Sequence, residues 1–112
     1  MGPIMNAMTA WVALFAAGGL EILFAVGLKS ATRFDRPWVL AGTIASLLGS
    51  LSLLTFSLRH LPVGSAYAVW TGIGAVGTAI VGMVLLGESA SALRLLCIGL
   101  IVMGVVGLKS LH

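Results

Sequence analysis

The sequence predicts an all-α integral membrane protein with four transmembrane helices per chain, and three observations carry that reading. Of its 112 residues 60% are hydrophobic and 8% are charged, whereas soluble domains carry about 25% charged residues. The apolar residues fall into four runs, roughly 9–28, 38–58, 63–86 and 92–108, each long enough to cross ~30 Å of hydrocarbon as a helix. The breaks between the runs are short and polar, so residues 1–112 form a single four-helix domain. The net charge of +3 comes from six scattered basic residues without a basic run, which excludes a nucleic-acid surface. The lone Cys97 closes no intrachain disulfide, the two histidines stand far apart, and no metal cluster, cofactor motif or nucleophile–base pair is visible, so the chain does not read as an enzyme.

The first span contains one acidic side chain, Glu21, a little past its middle. Placing an acid there costs roughly 2.5–3.5 kcal/mol on translocon scales, and such residues face a bundle interior or a wet cavity. Glu21 therefore reads as an ion or proton site, the alternative being a permanently protonated acid that hydrogen-bonds between helices. Residues 1–8 lack the basic region of a secretory signal and carry Asn6 where myristoylation needs Ser or Thr, so they read as a short mobile extension. Trp11 lies near the span end, as interfacial aromatics do.

Residues 29–37 contain half of the basic residues, Lys29, Arg33 and Arg36, and end in Pro37, which suits a helix start. They read as an aqueous loop, with Trp38 interfacial. The second span places Thr43, Ser46, Ser50 and Ser57 on one face. Thr43 and Ser57 are expected to bond back to their own helix, while Ser50, nearer mid-membrane, lies within possible reach of Glu21. The break at 59–62 is so short that helices two and three are expected as antiparallel neighbours, with His60 a solvated loop residue.

The third span carries Tyr67, Trp70, Thr71, Gly74 and Thr78 on one face. A polar and aromatic stripe at membrane depth lines something, and an aromatic face attracts a cation by ~2 kcal/mol when desolvated. The glycines Gly72, Gly74 and Gly77 lie inside a span rather than after a strand, so they form no phosphate loop and instead permit close approach or a bend. Residues 87–91 read as one helix end and the next start, with Ser89 or Ser91 as cap and Glu88 beside the positive end of the following dipole. The fourth span is apolar, with Arg94 and Lys109 placed to snorkel at its ends and Cys97 expected buried. Its face of Gly99, Leu100, Ile101, Gly104 and Val105 suits self-association. Alternating the breaks puts Lys29, Arg33, Arg36 and Arg94 on one side and Arg59 and Lys109 on the other, too small a difference to bias insertion strongly.

With its single intramembrane Glu21 and the continuous stretch Pro62-Val63-Gly64-Ser65-Ala66-Tyr67-Ala68-Val69-Trp70-Thr71-Gly72-Ile73-Gly74, the chain resembles the small multidrug resistance transporters from about Trp11 to Lys109. Trp70-Thr71-Gly72-Ile73-Gly74-Ala75-Val76-Gly77, Gly87-Glu88-Ser89-Ala90 and Gly107-Leu108-Lys109 are similar to the guanidinium-exporter subtype. The resemblance implies an antiparallel homodimer in the inner membrane that exchanges protons for small guanidinium-class cations, without a cofactor. It implies Glu21 as the shared proton and substrate carboxylate, with Gly18, Ser50, Tyr67 and Trp70 beside it. By the same resemblance Gly72, Gly74 and Gly77 form a gating hinge, and Gly99, Leu100, Ile101, Gly104 and Val105 the dimer contact. Phe24 departs from that pattern, which has Trp three residues after the glutamate. The ring remains but the indole donor is lost. Export of larger quaternary ammonium cations, or a non-transporting membrane subunit, are the competing readings.

Overall fold

The structure, a computed structural model, describes residues 7–33 and 37–111. Four helices follow one another: α1 Ala7–Arg33, α2 Pro37–Ser57, α3 Val63–Leu85 and α4 Ala92–Ser110. Each is long and apolar enough to cross a membrane. Of the expected N-terminal extension, residues 1–6 lie outside the described residues, while Ala7 and Met8 already belong to α1. Phe34, Asp35 and Arg36 of the expected first loop also lie outside them.

The first helix corrects the expected boundary. It continues five residues beyond the apolar run, through Lys29 to Arg33, and the Thr32 hydroxyl donates to the Lys29 carbonyl at 2.7 Å within it. Hydropathy marks where a helix leaves hydrocarbon, whereas the helix itself stops only at a breaker. The stretch from Lys29 to Arg33 contains neither glycine nor proline.

Packing arranges the helices in one flat layer, with Cα extents of 44 × 37 × 17 Å. The extensive contacts run α2 to α1, α1 to α3 and α3 to α4, so the lateral order is α2, α1, α3, α4. Helices α2 and α3 do touch, but least of the pairs in contact, because α1 packs against both. Buried Ala10, Ala13, Ala17 and Gly18 give α1 the slim profile that this needs, since small residues let membrane helices approach closely. At Gly18 the Ile73 side chain occupies the space a Cβ would fill. Leu14, Leu54, Leu61, Val69 and Trp70 complete the core.

One packing expectation needs correction, and another is extended. Trp11, near the start of α1, is 9% exposed in this core, with the Lys109 ammonium 5.2 Å above its ring, so that Lys109 ties the end of α4 to the start of α1. Cys97 is exposed rather than buried, because α4 buries none of its residues within the chain. Trp38, at the start of α2, is 66% exposed and fits the interfacial reading. The hydroxyls of Thr43, Ser46 and Ser57 bond to their own helix at Val39, Gly42 and Leu54 carbonyls, and Ser91 caps α4 by accepting from the Arg94 N–H at 3.3 Å.

Candidate functional site

Glu21 stands about midway along α1, where that helix crosses α3 at Gly74. The carboxylate occupies the space that a Cβ on Gly74 would need, so the absence of a side chain on α3 is what admits it. Its Oε1 is buried and has no hydrogen-bond partner among the described residues. A buried carboxyl oxygen without a donor is costly, and a proton or a cation is the chemistry that relieves it.

The carboxylate borders a cleft of about 480 Å³ between α1 and α3. Phe24, Ala25 and Lys29 line it from α1, Thr71, Gly74, Ala75 and Thr78 from α3, and Glu88 from the α3–α4 connection. Glu21, Ala25 and Lys29 succeed one another at intervals of four, so the unbroken α1 places them on one face. Phe24, one turn beyond Glu21, supplies the aromatic surface. The hydroxyl-bearing Thr71 and Thr78 bracket Gly74 on α3.

The other sequence-marked residues form a second group. Ser50 is fully buried; its hydroxyl donates to the Ala17 carbonyl at 2.5 Å and accepts from the Trp70 indole N–H at 2.8 Å. That chain of bonds joins α3, α2 and α1 one turn before Glu21. With its single proton given to Ala17, Ser50 does not reach Glu21 as the sequence allowed. Tyr67 stacks obliquely on Trp70 at 5.3 Å and 52° and is 56% exposed, outside the cleft. The stripe on α3 thus divides, with Thr71, Gly74 and Thr78 toward Glu21 and Trp70 toward Ser50.

Helix α3 is continuous through Gly72, Gly74 and Gly77. In this conformation each receives a neighbour's side chain: Val105 at Gly72, Glu21 at Gly74 and Ile22 at Gly77. On α4, Ile101 and Val105 pack near Gly72, while Gly99, Leu100 and Gly104 are exposed. Among the described residues no group of His, Cys, Asp and Glu is placed to hold a metal. Lys29 and Glu88 are cleft residues that sequence reasoning missed. A longer first helix would have found Lys29 through its spacing from Glu21; nothing local signals Glu88.

Four bilayer-length helices with a carboxylate set in a cleft between two of them define a multi-pass integral membrane protein. The family profile described as Small Multidrug Resistance protein matches residues 9–101. Similar proteins named "Guanidinium exporter" include one from Citrobacter freundii, 56% identical over 99 residues, covering 88% of this chain and 94% of that protein. Another, from Yersinia pseudotuberculosis serotype I, is 53% identical over 100 residues, covering 89% and 96%. The chain belongs to the small multidrug resistance family.

Proposed function

We propose that this chain exports guanidinium or small guanidinyl cations across the inner membrane in exchange for protons at Glu21, working as an antiparallel pair of identical chains. The observation that carries the proposal is the buried, unpartnered Glu21 oxygen at the edge of the cleft. Guanidinium is planar and offers a fork of N–H donors that matches a carboxylate. It needs the ionised acid, whereas a proton removes that charge. Two ligands that exclude each other at one site, exposed alternately to the two sides, produce antiport. Support for the cation comes from relatives bearing the name "Guanidinium exporter" over nearly their whole length. The small difference in basic residues between the two sides, noted above, permits both insertions.

The test is cation-induced proton release in detergent together with uptake into liposomes containing only this chain. Glu21→Gln keeps the size but not the charge, so it should abolish both signals, while Glu21→Asp should retain binding with altered pH dependence. A Glu21→Gln protein that still releases protons and transports would place the site elsewhere, and a wild-type chain that moves nothing would favour a non-transporting subunit. A second reading, export of hydrophobic quaternary ammonium ions, is favoured by Phe24, whose ring lines the cleft without an indole donor.

A further inference from the structure

At one end of the cleft the chain leaves α3 through Gly87, whose φ of 71° is the left-handed conformation that suits glycine. That turn folds the next residue back. The Glu88 N–H donates to the Gly82 carbonyl at 3.1 Å, and the Glu88 carboxylate lies where a Cβ on Gly82 would stand. The acid therefore lies against the last turn of α3, from where it faces Arg94 in the first turn of α4. This is the negative end of the α3 dipole, where an anion is disfavoured and a cation favoured. The cation present is Arg94, whose guanidinium Nη1 lies 3.8 Å from Glu88 Oε1, with both side chains nearly half exposed. Such a pair is weak and exchangeable.

We infer that Glu88 is an outer acceptor for the transported cation, with the Arg94 guanidinium as a built-in competitor that an arriving guanidinium displaces. Glu88 and Glu21 line the same cleft, so a cation captured at Glu88 has a continuous path to the buried carboxylate. Because Arg94 presents the same chemical group as the proposed substrate, exchange at Glu88 swaps one guanidinium for another without stranding either charge. Lys29, which also lines the cleft, disfavours a lingering cation. Glu88 is thus a direct, transient binding residue for capture. This inference rests on the reading of the chain as a guanidinium exporter.

The test is initial-rate guanidinium transport by the full-length chain in liposomes at low and high ionic strength. At low salt, Glu88→Gln should raise KM about fivefold while changing kcat little, and the effect should shrink at high salt, as steering by charge does. Arg94→Gln should act in the opposite direction and lower KM by exposing the acceptor. Gly82→Ala keeps the charge but moves the flexible carboxylate off its seat, and should reproduce part of the Glu88→Gln effect. The inference is overturned if Glu88→Gln leaves KM unchanged at low salt, or if Arg94→Gln raises KM as Glu88→Gln does, which is the mark of a merely structural ion pair. Wild-type chain that transports no guanidinium overturns the exporter reading and this inference together, whereas transport with an unaltered Glu88→Gln KM overturns this inference alone.

Discussion

One methyl group is enough to displace the Glu21 carboxylate from its seat against α3. The carboxylate fills the place of a Gly74 side chain, so Gly74→Ala must either push the acid into the cleft or part the two helices. Guanidinium affinity should fall roughly tenfold, about 1.4 kcal/mol, and titration calorimetry in detergent would measure it. Phe24 sets a different property. Its ring borders the cleft but offers no N–H, so Phe24→Trp should raise the ratio of guanidinium transport to transport of a hydrophobic quaternary ammonium ion; an unchanged ratio in the uptake assay would remove Phe24 from selectivity. Proton competition at Glu21 fixes the sign of the pH effect. Apparent guanidinium affinity should weaken as pH falls through the protonation midpoint, by up to about tenfold per pH unit for each proton displaced, and level off above it.

Between elements, the bonds from Trp70 to Ser50 and from Ser50 to Ala17 are the polar tie that fixes α3 and α2 onto α1. Ser50→Ala leaves the buried indole N–H without its acceptor, and should lower thermal stability in detergent by about 1 kcal/mol, in the range measured for polar contacts between membrane helices. The helices themselves were legible because unbroken apolar runs of bilayer length have few other solutions. Glu21 stood out because an acid at that depth is costly and faces a bundle interior or a wet cavity, and it does border the cleft between α1 and α3. The sequence was less informative where geometry depends on a partner element. Periodicity placed Trp70 and Thr71 on one broad stripe, yet consecutive helical residues diverge, and Trp70 meets Ser50 of α2 while Thr71 lines the Glu21 cleft. Glu88 was hidden because one left-handed glycine reverses the chain, and Lys29 because a polar stretch was equated with a loop. The burial of Trp11 was not legible because the Lys109 that covers its ring comes from the far end of the chain.

At the scale of the whole molecule, the helices form a thin open layer, 17 Å in its shortest Cα extent, with the cleft between α1 and α3. Helix α4, at one edge, buries none of its residues, and its exposed Leu100 and Met103 are ready for lipid or a second chain. On the proposed antiparallel pairing, a cysteine at exposed Thr32 in a Cys97→Ala background should be labelled from both sides of the membrane. Labelling from one side only would refute dual insertion. The open layer also has a genetic consequence. If each working unit is assembled from two copies drawn from one pool, a defective allele does not merely fail to contribute; it spoils the normal copies it joins. Equal expression of wild-type and Glu21→Gln chains would leave only about a quarter of pairs wholly normal under random assortment, so inheritance of the defect would be dominant, and the depth of the loss would count the subunits.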